Sequence, residues 1–312
     1  MKICIDASNI STGGGLTHLY EILNAATPEK HGIEKIIIWA PQSTLIKLDN
    51  KPWLEKQTDT LLESNSIVRL YWQRYKLTKL IKAGEYDLLF VPGGNYVGNF
   101  KPYVTMCRNM LPFQRDELLR FGISLKTIRF LVLRLLQSRT FKNSSGVIFL
   151  TSFAKKTILK TIGRLIIPTP LIPHGLNQRF KIKPRKQKSI TNYTNNNPYR
   201  LIYVSTIDEY KHQWHVVEAV GQLRQDGYPI ILELIGAFYP PSLRRLKTVM
   251  NNLDVFGEQA LFEDPNNGAS IRGATVTTTD GGNVQVLTLS KVKFDRLIAS
   301  GTLNEECVQT LK

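Results

Sequence analysis

YRLIYVSTIDEYKHQWHVVEAVGQLRQDGYPIILELIG, residues 199–236, is the stretch that decides the fold of this chain. Residues 199–204 and 230–235 are two nearly continuous apolar runs. Between them, apolar residues recur at helical spacing, at Trp214, Val217, Ala219, Val220 and Leu223. Continuous apolar runs are typical of central parallel strands that are covered on both faces, and a helix between two such strands forms a right-handed crossover. The stretch therefore predicts a parallel βαβ unit.

Polar side chains follow the first of these runs, at Ser205, Thr206, Asp208, Glu209 and Lys211. In open α/β sheets, ligands bind at the carboxyl ends of the strands, which is where this turn lies. The turn therefore predicts a ligand-binding α/β domain.

The rest of the chain before residue 180 also alternates between apolar runs and helical patterns. We predict strands at residues 2–5, 34–39, 66–71, 87–91, 103–106 and 146–150, with a basic helix at 72–83. Such alternation predicts a doubly wound α/β domain. The chain of 312 residues is long enough for two such domains, each with its own core.

Charge and cysteine content narrow the function classes. A net charge of +16 favours an anionic partner, which could be a nucleic acid, a phosphorylated small molecule or an acidic membrane surface. Cys4, Cys107 and Cys307 lie far apart and form no CxxC pair, so neither a zinc site nor a disulfide framework is indicated. The N-terminal residues enter a strand directly, and no run reaches the roughly 18 apolar residues of a membrane span. We therefore expect a cytoplasmic protein, with a peripheral position at the inner membrane face as an option.

Three consecutive glycines, Gly13, Gly14 and Gly15, separate the first strand from a helix at residues 16–23. Glycines let the backbone approach a ligand closely, and a helix N-terminus favours negative charge, so a diphosphate or a sugar fits here. A flexible strand-to-helix turn is the equal alternative. The triplet matches neither GxGxxG nor a loop ending in GK[ST], which disfavours a nicotinamide cofactor or a P-loop.

Two basic segments have alternative interpretations. Residues 124–142 form a basic amphipathic helix that either lies on an anionic membrane leaflet or packs on the core with a solvated basic rim. Residues 180–198 are polar, basic and poor in apolar side chains, as in an interdomain linker. Nucleic acid is a disfavoured partner, because aromatic residues do not alternate with the basic ones.

Seven strings occur in a fixed order: IDASNISTGGGLTHL from residue 5, VPGGN from 91, RNMLPF from 108, TSFAKK from 151, IPHGLN from 172, VSTIDEYKHQW from 204 and LIGAFYPPSL from 234. In this order they resemble retaining glycosyltransferases of the two-Rossmann (GT-B) class, family 4 of group 1 type, over residues 2–254. The resemblance implies transfer of a sugar from a nucleotide-diphosphate sugar donor to an acceptor hydroxyl, in cell-envelope or exopolysaccharide synthesis. It implies a glycan or lipid-linked acceptor, no required cofactor and no metal.

Site residues follow from this resemblance. Gly13, Gly14 and Gly15 would approach the donor, and Ser205, Thr206 and Lys211 would lie at its diphosphate. Thr206 stands where many relatives have an arginine. Arg108 and Asn109 stand in a catalytic segment that often carries a histidine, and His174 would lie near the hinge or be a structural histidine.

Residues 255–312 depart from that family, which would continue with further βα units and a Glu-rich segment. They resemble the C-terminal half of a cyclic-nucleotide-binding domain, in which Glu258 would accept from the ribose hydroxyl; Asn267 stands where that family has an arginine. From the residues themselves, alternation at 274–278 and 284–289 around a DGGN turn predicts a β-hairpin.

The predicted fold class is thus α/β, with two Rossmann-like doubly wound domains, the second truncated, and then a short, partial β-roll. The predicted bounds are 1–179 for the acceptor domain, 180–198 for the linker, 199–254 for the donor domain and 255–312 for the β-roll. The expected function is a glycosyltransferase whose incomplete donor domain lowers or abolishes activity. The alternatives are a cyclic-nucleotide-binding regulatory fragment and, with less support, a nucleic-acid-binding protein.

Overall fold

The computed structural model describes residues 1–253, 259–263 and 270–272. The chain divides into two compact units, Met1–Ile182 and a second that begins at Lys183. This division falls inside the predicted linker, and the predicted domain bounds otherwise stay a prediction.

The first unit contains a parallel sheet of six strands. The strands are β1 (Lys2–Asp6), β2 (Lys35–Trp39), β3 (Leu54–Gln57), β4 (Leu88–Val91), β5 (Tyr103–Cys107) and β6 (Gly146–Phe149). Their order is β3-β2-β1-β4-β5-β6, so the direction of winding reverses between β1 and β4. This arrangement confirms the predicted α/β fold class and places a topological switch point, where such sheets bind ligands, at the ends of β1 and β4.

Helices cover both faces of this sheet. They are α1 (Gly13–Ala25), α2 (Gln42–Leu45), α3 (Ser66–Trp72), α4 (Thr78–Ala83), α5 (Arg115–Leu119), α6 (Leu125–Asn143) and α7 (Ser152–Ile162), and a π-helical segment, Gln73–Leu77, joins α3 to α4. Because side chains alternate along a strand, Cys4 packs in one layer with Trp72, whereas Ile5 packs in the other with Leu19 and Leu23 of α1.

The prediction of a strand at residues 66–71 was wrong, because this segment is helix α3. The side chain of Asn65 accepts hydrogen bonds from the backbone N–H groups of Ile67 at 3.0 Å and Val68 at 3.2 Å, which caps the helix. The helix buries Trp72 and leaves Ile67 exposed, so its apolar residues are divided between a buried and an exposed side. The sequence prediction missed strand β3, whose sequence is LEKQ. Because β3 lies at the edge of the sheet, it can form with a sequence that is half polar.

The second unit contains the predicted βαβ unit. Strands β7 (Tyr199–Val204) and β8 (Ile230–Ala237) are parallel neighbours joined by α8 (Gln213–Gln225), and α9 (Pro240–Asn252) follows. The sheet continues with β9 (Gln259–Glu263), parallel to β8, and β10 (Ser270–Arg272), antiparallel to β9. Glu258, Asn267 and the predicted hairpin lie outside the described residues.

No helix within the described residues is long and apolar enough to cross a membrane.

Gly236 allows a close approach between two backbone segments of the second unit. Its φ is +147°, and a Cβ atom there would lie 2.3 Å from the carbonyl oxygen of Ser205. We expect Gly236→Ala to lower the free energy of unfolding by about 2 kcal/mol or more, because the backbone of the β7 turn must shift. Urea unfolding followed by circular dichroism measures this loss.

The matched control is Gly227→Ala. Gly227 also has a positive φ, +87°, but a Cβ atom there meets nothing within 4 Å. Gly227→Ala should therefore lower the free energy of unfolding only by the cost of backbone strain, about 1 kcal/mol. Equal losses in the two variants would contradict the constraint assigned to Gly236.

Candidate functional site

Three loops of the first unit converge at the carboxyl edge of its sheet. They follow β1 and β4, which flank the switch point, and β5, which is the next strand beyond β4. A Cβ atom on Gly94, which has φ +76°, would lie 3.1 Å from the carbonyl oxygen of Met106, and one on Gly93 would lie 3.8 Å from the Cβ atom of Asn9. The β4 loop, VPGGN, therefore lies between the two neighbouring strand ends, and the positive φ and close approach at Gly94 explain the glycine there.

A buried polar network fixes the loop after β1. The amide nitrogen Nε2 of Gln73 donates to Oδ2 of Asp6 at 2.5 Å, to Oγ of Ser8 at 3.3 Å and to the carbonyl oxygen of Asn95 at 3.2 Å. The backbone N–H of Ser8 donates to Oδ1 of Asp6 at 3.1 Å. Burial raises the pKa of Asp6, and the hydrogen bonds from Ser8 and Gln73 counteract that rise. Gln73 thus joins the β1 and β4 loops.

The glycine triplet forms the first three residues of α1, and each glycine has a different environment. Gly13 has φ +64°, which favours glycine. A Cβ atom on Gly14 would meet nothing within 4 Å, whereas one on Gly15 would lie 2.4 Å from Nη1 of Arg108. In the described part of the chain, no side chain caps this helix N-terminus, and its first turn contains no acidic residue. Its free N–H groups carry a partial positive charge.

Arg108, directly after β5, brings a cation to this turn. Its Nε and Nη1 atoms are buried and have no hydrogen-bond partner among the described residues. Burial lowers the pKa of Arg108, but a guanidinium group remains charged in proteins. A desolvated cation with unused donors next to a helix N-terminus can bind an anion. Hydrogen bonds to the anion would then pair the guanidinium donors and the free N–H groups of the helix.

His18 lies near this cation and contacts a second histidine, His174. Nδ1 of His18, one turn into α1, is 2.9 Å from Nδ1 of His174, so one ring must donate and the other accept. Nε2 of His18 is 3.2 Å from the sulfur of Met106. Burial, His174 and Arg108 lower the pKa of His18 from 6.5 to about 4. His18 is therefore neutral at pH 7.

The segment that carries His174 borders an apolar pocket of about 860 Å³ within the first unit. Nδ2 of Asn177 donates to both carboxylate oxygens of Glu21 on α1, at 3.2 Å and 3.1 Å. The sheet contributes apolar side chains to the pocket, among them Phe90, Met106 and Ile148. The pocket combines an apolar wall with polar groups at its α1 side, as ligand sites commonly do.

The predicted residues of the first unit are therefore only partly together. Arg108 and the glycine triplet form one group, but Oδ1 of the exposed Asn109 accepts from the backbone N–H of Leu111 at 3.0 Å and supports the following turn. Sequence reasoning missed His18, although it lies in the LTHL string three residues after Gly15. The roles of Gly13, Gly14, Gly15, Arg108 and Asn109 stay predictions.

In the second unit, Glu209 connects the turn after β7 to the last helix described. Its carboxylate accepts from the hydroxyl of Ser242 at 2.9 Å and from Arg245 at 3.2 Å, which ties the turn to α9. Lys211 places its Nζ atom 5.0 Å from the centre of the Tyr210 ring. Lys211 makes no ion pair among the described residues, so its ammonium group can bind an anion.

The other predicted residues of this turn lie beside Lys211 in sequence. Thr206 is exposed and Ser205 half-buried. The hydroxyl of Ser205 donates to the carbonyl oxygen of Thr206 at 3.2 Å, and that oxygen also accepts from Nε2 of Gln213 at 2.8 Å. Both residues stay predicted donor contacts. Among the described residues, no group of three or more His, Cys, Asp or Glu side chains could hold a metal ion.

No protein-family model matches the chain, and no curated protein matches it in sequence. Among solved structures, it is similar to sucrose-phosphate synthase from Thermosynechococcus elongatus, with a TM-score of 0.56 and 14% identity, over 85% of this chain and 71% of that one. It is similar to HepE of Anabaena in complex with UDP and glucose, with a TM-score of 0.52 and 17% identity, over 84% and 69% of the two chains.

A third similar structure is WaaG, a glycosyltransferase involved in lipopolysaccharide biosynthesis. Its TM-score is 0.52 at 13% identity, over 85% of this chain and 71% of that one. At these identities the likenesses show the fold alone, which is the Rossmann-like α/β fold of GT-B glycosyltransferases.

His18 offers a direct test of the geometry around Arg108. We expect the imidazole of His18 to titrate near pH 4 in NMR spectra, and its pKa to rise part of the way toward 6.5 in Arg108→Met. Because the folded pKa lies below the unfolded one, stability should fall as pH falls from about 6.5 to about 4, and less steeply in the variant.

Arg115→Met serves as the control, because Arg115 is exposed and is not among the groups that shift His18. It should leave the titration of His18 unchanged. No rise in the pKa of His18 in Arg108→Met, or an equal rise in both variants, would show that Arg108 does not lower the pKa of His18.

Proposed function

We propose that this protein is a glycosyltransferase that moves a sugar from a nucleotide-diphosphate sugar to an acceptor hydroxyl. The observation that carries the proposal is the half-buried Arg108, whose buried Nε and Nη1 donors are unused, beside Gly15 in the first turn of α1. The GT-B fold supports it, because in proteins of this fold such as HepE a nucleoside diphosphate is bound.

The chemistry of sugar transfer explains why a cation is useful at this place. When the bond between the sugar and the diphosphate breaks, negative charge develops on the leaving phosphate. A fixed guanidinium and a helix N-terminus in a partly dehydrated site stabilise that charge without reorganisation. In the proposal Arg108 and the glycine triplet fulfil this role, so no metal ion is required for it.

The remaining assignments depend on the resemblance to family 4. They are the donor contacts of Ser205, Thr206 and Lys211, the role of Asn109 in the catalytic segment, and retention of configuration at the sugar. The acceptor is proposed to be a glycan or lipid-linked glycan of cell-envelope synthesis, and the apolar pocket beside Glu21 suits a partly apolar acceptor. Donor binding and transfer are separate claims, so they need separate assays.

Calorimetric titration with UDP, GDP and UDP-glucose tests donor binding first. We expect at least one of them to bind, and Arg108→Met to weaken that binding about tenfold to a hundredfold, because it removes charge-assisted hydrogen bonds. Binding that is unaffected by the substitution would sink the role of Arg108. Absence of binding by all three would sink the proposed activity and leave the fold intact.

The glycine triplet provides a matched pair of variants. Gly15→Ala places a methyl group where Nη1 of Arg108 lies, so the guanidinium must move, and the same nucleotide should bind more weakly. Gly14→Ala has free space for its methyl group and leaves Arg108 in place, so it should weaken nucleotide binding less than Gly15→Ala does. Equal nucleotide affinities in the two variants would contradict the proposed contact.

A further inference from the structure

We propose that the outward face of α6 docks this protein on an anionic lipid bilayer. The surface that makes this contact comprises five aliphatic side chains of the helix, its exposed basic residues, and Leu119 and Ile123 just before it. The inference goes beyond sugar transfer and does not depend on it, because it rests on the surface of one helix.

The aliphatic side chains of this surface are strongly exposed and lie on one side of the helix. Their exposed fractions are 86% for Leu125, 57% for Ile128, 44% for Leu131, 49% for Val132 and 72% for Leu135. The spacings of three and four residues place them along a single stripe, since an α-helix has 3.6 residues per turn. A contiguous stripe of this kind marks an interaction site, whereas single exposed apolar residues are ordinary.

The opposite side of α6 already packs against the unit. Phe130, Gln137, Thr140 and Phe141 are buried, and the Phe141 ring stacks on that of Phe113 at a centroid distance of 6.1 Å. The hydroxyl of Tyr103 donates to the carbonyl oxygen of Thr140 at 2.8 Å. The helix is therefore anchored by its inner face, so the core of the unit does not require the outward stripe.

The residues before α6 enlarge the apolar surface. Leu119, at the end of α5, is 64% exposed, and Ile123, in the turn before α6, is fully exposed. A cap from Ser124, whose hydroxyl accepts from the backbone N–H of Thr127 at 3.2 Å, fixes where the helix begins. The apolar residues thus extend from the turn to the middle of the helix.

The charges of α6 identify the partner. The helix contains Lys126, Arg129, Arg134, Arg139 and Lys142 and no acidic residue. Arg129, Arg139 and Lys142 are exposed, and Lys126 lies at the first turn with its Nζ atom 4.7 Å from the centre of the Phe121 ring. A surface that is both aliphatic and basic fits anionic headgroups above an acyl layer, where an interfacial helix lies.

Two other occupants fit this surface less well. A second copy of the chain would bring two basic helices together, which is electrostatically unfavourable. A nucleic acid would neutralise the cations but leave the aliphatic stripe in water, and the stripe offers no aromatic ring for base stacking. The five basic residues also favour a helix that lies in the membrane plane over one that spans it.

Co-sedimentation of the full chain with vesicles tests the proposal. One set of vesicles contains phosphatidylcholine alone, and the other contains phosphatidylcholine and phosphatidylglycerol in equal parts. We expect binding to the anionic vesicles that weakens as salt screens the charges, and much weaker binding to the neutral ones. Absence of binding to the anionic vesicles, or equal binding to both, would overturn the proposal.

Two pairs of variants locate the contact. Ile128→Gln combined with Leu135→Gln should weaken binding to anionic vesicles about tenfold or more, since two aliphatic side chains leave the acyl boundary. The control combines Ile46→Gln with Ile67→Gln, two residues that are 70% and 78% exposed elsewhere on the same unit. Equal losses in variant and control would place the contact outside α6.

Neutralising the charges tests the electrostatic part. Arg129→Gln, Arg139→Gln and Lys142→Gln together should weaken binding about a hundredfold. The control, Lys30→Gln, Lys160→Gln and Arg164→Gln, removes the same charge from other exposed positions and should weaken it much less. Analytical ultracentrifugation without vesicles completes the test. Self-association that Ile128→Gln and Leu135→Gln abolish would assign the surface to a second copy and overturn the membrane proposal.

Discussion

The buried carboxylate of Asp6 is the constraint on which the first unit's loops depend. Dehydration disfavours its charge, and hydrogen bonds from the backbone N–H of Ser8 and the amide of Gln73 compensate in part. Gln73 reaches the carboxylate from the π-helical segment, and such segments often lie at functional sites. Because the same amide nitrogen also contacts Asn95, one side chain connects the loops that follow β1 and β4.

The glycine triplet shows how much a sequence motif can predict and what it leaves open. The pattern of strand, glycines and helix predicts an anion site, but it assigns the same role to all three glycines. In the structure only Gly13 has a positive φ, and only Gly15 lies against another side chain, Arg108. The distance between Gly15 and Arg108 depends on the pairing of β1 with β4 and of β4 with β5, which no local pattern contains.

The same distinction explains the other successes and errors. The βαβ unit at residues 199–236 was predictable because buried parallel strands and their helix have strong local periodicities. Residues 66–71 are also rich in apolar side chains, and the Asn65 cap and the exposed Ile67 distinguish this helix from a strand. The contact of His18 with His174 was not predictable, because the two residues are separated by 156 positions and meet through tertiary structure.

A net charge of +16 is compatible with any anionic partner, but the positions of the cations separate two kinds of recognition. Two donor atoms of Arg108 are buried and unpaired, so a bound phosphate that satisfies both is favoured over an anion in bulk water. The cations of α6 are exposed beside aliphatic side chains, and flexible exposed charges attract a surface without selecting one headgroup. If both proposals hold, the first unit binds a small anion at its sheet edge and a lipid surface on a different element. Substitutions at Arg108 should then weaken anion binding without loss of lipid binding, and substitutions on α6 should do the reverse.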